Sequence, residues 1–430
     1  MQYTSFQKRF CKHVKNPTGD QKMHFFNKLK IQSAFGVALA AASALAQAQF
    51  KLEYAGNTLQ IGGRLNVSYD HTSVSGYTPG GANDPGLAGS VDRVFGANAS
   101  RINFTFSRLL PNGITGEVFI DSSLNPTAGS GNLAGRENWL GATGAFGRLR
   151  AGRIDTPVKQ MGSYTDVFYA TGIADDGEIQ MMGGEDKLIG FTRRQQKSLR
   201  YDSPNMSGFG VAVQLGLPNA DGSVGSDAPA NSARKGRVIS TALTYAKGPF
   251  SAGLGYELHQ NVRYSGTTGL GDSAIRLGAK YVFEGIGDIG AGANVFRYEA
   301  AGGSTVTRPF ATITGNVYVG SGKVVMRYGH AGNVGGSAPN GTVVCGTPNA
   351  SATFNSCSGT LALVKGPDSG ARQLVLGYDY AVDKQFSVYG FMTQLRNGAN
   401  ANYNFGTNGY GVLKPGNDLR GISVGAIYIF

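Results

Sequence analysis

The chain has 430 residues, of which 41% are hydrophobic and 15% are charged, with 66 glycines and three cysteines. Residues 1–48 hold seven of the 39 basic residues and one of the 27 acidic ones, so residues 49–430 have 32 and 26 and a formal charge of +6. This charge, with no basic run after residue 48, does not indicate a nucleic-acid partner. After residue 48 no apolar run approaches the roughly 20 residues that a transmembrane helix needs.

The start of the chain has the pattern of a secretory signal peptide. Two lysines precede a 13-residue apolar run, 34–46, and an Ala-Gln-Ala sequence ends at Ala48. The run is too short to span a membrane as a helix, and the small-x-small sequence fits a cleavage site. We therefore expect a native start at Met23, cleavage after Ala48, and one domain over residues 49–430.

Segments of about ten residues with alternating polar and apolar side chains recur through this domain. In residues 59–69, Leu65 and Tyr69 share an apolar face, and Arg64 and Asn66 share a polar one. A period of two predicts β-strands. Eight long connections alternate with short ones, which predicts eight hairpins. We expect sixteen strands, at residues 58–71, 98–109, 114–124, 136–144, 148–153, 197–202, 209–217, 236–246, 250–260, 273–284, 289–299, 307–319, 323–331, 371–382, 385–395 and 419–430.

The last ten residues are the most informative strand. Ile422, Val424, Ala426, Tyr428 and Phe430 are apolar at a spacing of two. Such a face needs cover in a soluble protein, whereas a strand that closes a barrel can turn it toward lipid. The sequence therefore predicts an all-β fold, a sixteen-stranded antiparallel transmembrane β-barrel in which the last strand pairs with the first.

A barrel of sixteen strands is too wide for its own side chains to fill. Polar residues on the predicted inner faces, including Arg64 and Arg101, favour a water-filled channel. The longest connection, 154–197, is the third long loop and is rich in acidic residues.

Two cysteines, Cys345 and Cys357, lie in a segment rich in Gly, Ser, Asn and Pro. In an exported protein this pair predicts a disulfide within a loop, with two free thiols as the alternative. Neither the spacing nor the surroundings indicate a zinc site. We expect no metal and no cofactor.

Three stretches resemble the general diffusion porins of Gram-negative bacteria, in their β-proteobacterial branch. They are NWLGATGAFGRLRAGR at 138–153, SLRYDSPNMSGF at 198–209, and the terminal strand ending at Phe430. The resemblance implies a homotrimer in the outer membrane, in contact with lipid and lipopolysaccharide, that passes small ions and hydrophilic solutes. It also implies that Phe430 is an assembly signal read by the barrel assembly machinery, and that the third loop folds into the pore.

In such porins, basic wall residues face acidic residues of the third loop. The resemblance assigns Arg64, Arg101 and Arg153 to the wall, although strict alternation would turn Arg153 outward. The loop candidates are Asp166, Asp175, Asp176, Glu178 and Glu185. A net positive throat would give a weak preference for anions. The alternatives are that the arginines form wall salt bridges or anchor loops, and that some of the acids are merely solvated.

Other functional classes have weaker support in the sequence. An enzyme would need a base and a nucleophile in a fixed arrangement, and His71, His259 and His330 lie in no catalytic motif. A substrate-specific channel would show an aromatic ladder or a dense basic cluster across the throat. An adhesin would carry its function in variable loops. We therefore expect a channel and no enzyme.

Overall fold

The computed structural model describes residues 50–82, 84, 86, 90–167, 172–181, 189–218, 236–265, 268–345, 361–411 and 413–430. They form a closed antiparallel barrel of sixteen strands. In chain order the strands are β1 (Asn57–Ser75), β2 (Ser90–Ala97, continued by Arg101–Leu109), β3 (Thr115–Asn125), β4 (Asn138–Gly144), β5 (Gly147–Asp155), β6 (Arg194–Asp202), β7 (Phe209–Gly216), β8 (Arg237–Lys247), β9 (Phe250–Ser265), β10 (Thr268–Phe283), β11 (Gly287–Glu299), β12 (Thr305–Val319), β13 (Gly322–Ala331), β14 (Ala371–Ala381), β15 (Phe386–Asn397) and β16 (Asp418–Ile429).

The barrel closes between its first and last strands. β1 and β16 pair antiparallel, from Arg64 opposite Ile429 to Ser75 opposite Asp418. Each further strand pairs antiparallel with the strand before it. Closure satisfies backbone groups that a sheet edge would leave unpaired, which a membrane-spanning sheet requires. The predicted fold is confirmed.

A short strand that we did not predict, Phe50–Tyr54, completes the pairing of β1. Phe50 lies opposite Ile61 and Tyr54 opposite Asn57. Phe430 directly follows β16, and its N–H donates to the Gly63 carbonyl at 3.1 Å while its carbonyl accepts from Gly63 N–H at 2.8 Å. The short strand and β16 therefore pair with successive parts of the same edge of β1. Other short strands are Ser130–Asn132, Val343–Cys345 and Ala362–Val364.

The two faces of the strands differ as the alternation predicts. Leu65 and Tyr69 of β1 are 39% and 45% exposed, whereas Asn66 and Asp70 are fully buried on the inner face. In β16, Ile422 and Val424 are exposed and Ser423 is buried. The outer wall is thus apolar and the lumen polar, the arrangement of a transmembrane barrel around water.

One connection that we predicted to be long is short, and another is shorter than predicted. β9 runs on to Ser265 and β10 begins at Thr268, so the predicted loop 261–272 is a continuation of two strands. The strand pairing shifts register between Gln260 and Arg263. A bulge of this kind breaks the period of two, so the sequence pattern stops while the strand continues. The predicted loop 72–97 is likewise shortened from both ends, because β1 and β2 extend into it.

The third long connection, 156–193, contains most of the helical turns among the described residues. They are α1 (Pro157–Gln160), the 3-10 turns Met161–Tyr164 and Gly172–Ala174, and α2 (Gly177–Met181); a further 3-10 turn is Ala301–Gly303. The Thr156 side chain accepts a hydrogen bond from Lys159 N–H, and a proline follows it, a common start of a helix. Within the described part of the chain, no helix has the length and apolarity of a membrane span.

Candidate functional site

The third loop crosses the lumen from the strand where it begins. It leaves the barrel wall at Asp155, the end of β5, and its Asp176 lies beside Arg327 of β13, with 3.4 Å between Nη1 and Oδ1. In a ring of sixteen strands, β13 is eight strands from β5 in either direction. The described parts of the loop therefore reach the opposite wall, so the loop divides the channel.

Inward-facing arginines of three strands anchor the loop. Arg276 of β10 donates to the Val158 carbonyl at 3.2 Å and to Gln180 Oε1 at 2.6 Å. Arg308 of β12 donates to the Gln180 carbonyl at 3.3 Å. Because a loop inside a barrel lacks strand partners, these donors satisfy backbone carbonyls that would otherwise be buried unpaired.

The third anchor is Arg327, which donates to the Ala174 carbonyl besides pairing with Asp176. None of these three anchors was predicted from the sequence. The available signal was a single arginine between two lipid-facing residues, as in Met326-Arg327-Tyr328, where alternation turns the arginine inward.

Glycines on the inner wall leave space for the third loop, because they have no side chain. A Cβ added at Gly253 would lie 2.5 Å from the Met161 sulfur, and one at Gly278 would lie 2.7 Å from Tyr164 Cδ2. The Tyr164 hydroxyl donates to the Ala252 carbonyl at 2.9 Å. Close packing of the first loop segment thus depends on the absence of side chains on β9 and β10.

The predicted loop acids have different environments. Asp176 is buried, and burial raises its pKa to about 6 against the opposing effect of Arg327. Asp175 accepts from its own loop at Gly177 N–H and from Thr407 Oγ1 at 2.7 Å. Asp166 lines a cavity of about 440 Å³ toward the short-turn end of the barrel. The Glu178 side chain and Glu185 lie outside the described residues.

Two predicted wall arginines are neighbours. Arg64 of β1 and Arg101 of β2 lie opposite each other in register. Arg64 is 6% exposed, and its Nε donates to the Ala99 carbonyl at 3.2 Å. Arg101 is half-buried, and no carboxylate of the described residues lies within 4.0 Å of it. The charge of Arg101 is therefore not neutralised by direct contact with a carboxylate of the described residues.

Other basic residues of the inner wall, which we did not assign to the throat, are paired with acids. Arg136 binds Asp121 with 2.8 Å between Nε and Oδ2, and Arg194 binds Asp155 at 2.9 Å. Farther along the wall, Arg150 and Arg200 share Asp202 at 2.6 and 2.7 Å. These inward charges form a network next to Arg101. The Arg101 guanidinium interacts electrostatically with four of its members, Asp121, Asp155, Arg136 and Arg194.

Strand alternation does not assign Arg153 to the inner or the outer face of the wall. It lies opposite Asn138 in the register of β4 and β5, and the pairing of β5 with β6 shifts between Gly152 and Ile154. The preceding Arg148 and Arg150 follow strict alternation and bind Glu117 and Asp202. Since the alternation ends at this irregularity, a role for Arg153 in the throat stays a prediction.

The predicted disulfide is only partly within the described residues. Cys345 is fully buried and disulfide-bonded. Cys357 lies outside the described part of the chain, so its identity as the partner stays a prediction.

Comparison with known proteins agrees with this architecture. The sequence profile of the Gram-negative porin family matches residues 34–400. The chain is 24% identical over 346 residues to outer membrane porin protein 32 of Delftia acidovorans, covering 78% of this chain and 86% of that protein. Among solved structures, the anion-selective porin from Comamonas acidovorans superposes with a TM-score of 0.64 at 20% identity, covering 87% of this chain and all of that one.

The trimer form of OmpT of Vibrio cholerae superposes with a TM-score of 0.58 at 13% identity, covering 87% of this chain and all of that one. At these identities the superpositions show the fold alone, while the family profile covers most of the chain. The closed sixteen-stranded barrel, its polar lumen and the matching profile together establish that the chain belongs to the Gram-negative porin family and forms an outer-membrane diffusion channel.

Proposed function

We propose that the channel has a weak preference for anions, set by basic wall residues beside the third loop. The observation that carries this proposal is Arg101, which faces the lumen next to Arg64 and has no carboxylate within 4.0 Å among the described residues. The arginines of the neighbouring network have acid partners, so their positive charge is partly neutralised. Arg153 belongs to the proposed wall by its place in the sequence motif.

Fixed charges have a long reach in such a channel. At an effective dielectric constant of about 20, two unit charges about 4 Å apart interact by roughly 4 kcal/mol, against roughly 1 kcal/mol in bulk water. A wall arginine without a partner therefore lowers the energy of an anion passing close to it. The loop acids that we propose for the throat are Asp166, Asp175, Asp176, Glu178 and Glu185. Of these, Asp176 is paired with Arg327. That pairing reduces the negative charge that opposes Arg101.

We further infer export with removal of residues 1–48, assembly through Phe430 as the signal for the barrel assembly machinery, and a homotrimer in contact with lipid and lipopolysaccharide. A trimeric porin among the structural neighbours supports the trimer. The alternating terminal strand supports the assembly signal, since Tyr428 is exposed on the lipid-facing surface and the Phe430 ring stacks on it with 6.3 Å between centroids.

We infer that the chain has no enzymatic activity. Its relatives are channels. Among the described residues, His259 contacts Glu257 with 2.8 Å between Nε2 and Oε1, but both side chains are fully buried and His259 is covered by Phe191. A substrate has no access to this pair, so it offers no catalytic centre.

The experiment that tests the proposal is a recording of purified, refolded protein in planar bilayers under a salt gradient. We expect steady single-channel currents and a reversal potential that indicates a modest excess of anion over cation permeability. A reversal potential on the cation side would overturn the anion preference, and a lack of steady conductance would overturn the water-filled pore.

A further inference from the structure

Arginines of three neighbouring strands lie together on the outer wall of the barrel. Arg372 of β14 lies directly opposite Arg396 of β15, and Arg420 of β16 lies opposite Gln394. The Gln394 amide is oriented so that its oxygen faces the two neighbouring arginines. This oxygen accepts from Arg396 Nε at 3.2 Å and from Arg420 Nε at 3.1 Å. We call Arg372, Arg396 and Arg420 the outer arginine cluster.

The cluster borders the lipid-facing belt. On the same face of the same strands, two or four residues farther from the loops, Leu374, Met392 and Ile422 are 46%, 59% and 59% exposed. All three arginines are exposed and lie at the long-loop ends of their strands. In outer-membrane barrels the long loops face the cell exterior, so the cluster lies at the level of the outer-leaflet headgroups.

The charges of the outer arginine cluster have no direct carboxylate partner among the described residues. Within the part of the chain that the structure describes, none of the three guanidinium groups forms an ion pair with a carboxylate. Three adjacent cations repel one another, and an arginine on the lipid face of a barrel is unfavourable, increasingly so toward the bilayer midplane. An anion held between them would remove the repulsion and supply acceptors for the fixed donors of guanidinium.

The surface has a recess beside the cluster. A shallow cavity of about 280 Å³ is lined by Arg372 and Arg396 together with His330 of β13, which lies opposite Arg372. The cavity also contains one acid, Asp368, on the loop side. Asp368 belongs to the connection that precedes β14, whereas Arg372 and Arg396 belong to the strands, so the basic residues of the recess are those nearer the lipid-facing belt.

We propose that the outer arginine cluster binds a phosphate group of lipopolysaccharide, the glycolipid of the outer leaflet. A phosphate monoester, such as those on the lipid A sugars, carries close to two negative charges and three acceptor oxygens. Three guanidinium groups match that acceptor set better than they match a phospholipid diester, which has one charge. The acyl chains of the same molecule would then lie on the apolar belt formed by Leu374, Met392 and Ile422.

This inference rests on the proposed contact with lipopolysaccharide and not on the anion preference, so the two are tested separately. The test is native mass spectrometry of the detergent-solubilised protein with four probes: bisphosphorylated lipid A, dephosphorylated lipid A, phosphatidylglycerol and inorganic phosphate. The variant is Arg372→Ala with Arg396→Ala and Arg420→Ala. The matched control is Arg237→Ala with Arg297→Ala, two exposed arginines at the long-loop ends of β8 and β11.

We expect the wild type and the control to retain bisphosphorylated lipid A in preference to the other probes. The triple variant should bind it at least about tenfold more weakly, because it lacks the hydrogen bonds from three charged groups. Equal retention of dephosphorylated lipid A, equal retention of phosphatidylglycerol, or binding of inorganic phosphate alone would overturn the proposal. The proposal would also be overturned if the triple variant kept its bound lipid A but no longer formed an oligomer. The cluster would then be a contact between copies of the chain.

Single-channel conductance of the same preparations shows whether the variant is folded. If the triple variant does not refold, Arg372→Gln and Arg420→Gln are measured singly. Each is expected to weaken lipid A binding several-fold, and unchanged binding in both would contradict the proposal.

Discussion

Arg327 of β13 and Asp176 of the third loop form an ion pair inside the barrel, on the wall opposite the strand from which the loop starts. Both side chains are buried. Arg276 and Arg308 also hold the loop, because they donate to loop carbonyls and to Gln180. The wall arginines therefore determine the path of the loop through the barrel.

Replacing the anchor should loosen the loop. Arg327→Gln leaves Asp176 and the Ala174 carbonyl without their donor, and breaking a buried pair in this way costs about 3–5 kcal/mol when the remaining charge has no new partner. We expect a lower thermal transition and noisier single-channel currents. Adding Asp176→Asn should recover part of the loss, because it removes the buried charge.

The control for this prediction is Lys323→Gln on the same strand. Lys323 lies 3.7 Å from Asp379 near the short turns, where both groups are partly solvated, and such pairs contribute about 0–1 kcal/mol. Equal effects of the two substitutions on current noise would show that Arg327 does not hold the loop.

The ion preference should depend on pH. Burial raises the pKa of Asp176 to about 6, so its carboxylate is charged above this pH and gains a proton as the pH falls through it. Protonation leaves the Arg327 charge uncompensated, which makes the lumen more positive. We expect reversal potentials to shift toward anions between pH 7.5 and pH 5, and this shift to shrink in Asp176→Asn. An identical shift in that variant would contradict the assignment to Asp176.

The glycine positions on the inner wall should tolerate no side chain. Gly278→Ala places a Cβ 2.7 Å from the Tyr164 ring, and crowding of this kind costs about 1–3 kcal/mol. We expect a lower unfolding midpoint in urea and an altered conductance. Gly116→Ala on β3 is the control, because nothing lies within 4 Å of its Cβ. A midpoint equal to that of the control would mean that the loop does not need this space.

Deleting Phe430 should reduce assembly more than conduction. The deletion removes two backbone hydrogen bonds to Gly63 and the aromatic end of β16. We expect lower levels of folded protein in the outer membrane, with normal conductance from the molecules that insert. Phe430→Tyr, which keeps the aromatic ring, should assemble normally. Wild-type surface levels of the truncated chain would refute a role in assembly.

The sequence was sufficient for the strands because a barrel in lipid imposes a period of two on every segment. Arg64, Leu65, Asn66 and Tyr69 could be assigned to faces from that period alone. The pattern failed at bulges, as between Gln260 and Arg263, where backbone pairing continues although the side-chain period breaks.

The site was less predictable, because it depends on contacts between distant segments. Arg276, Arg308 and Arg327 are separated from their loop partners by about a hundred residues or more, and nothing local distinguishes an anchor from a residue that faces water. The acid partners of Arg136 and Arg194 are set by strand register and loop path. Alternation alone gives neither of these.

The most direct test of the account is the reversal potential of Arg64→Ala with Arg101→Ala in planar bilayers under a salt gradient. The control is Arg237→Ala with Arg297→Ala, which removes the same charge from the outer wall. We predict that the inner pair shifts the potential toward cation preference and that the outer pair leaves it unchanged. An unchanged potential in Arg64→Ala with Arg101→Ala would contradict the assignment of the throat.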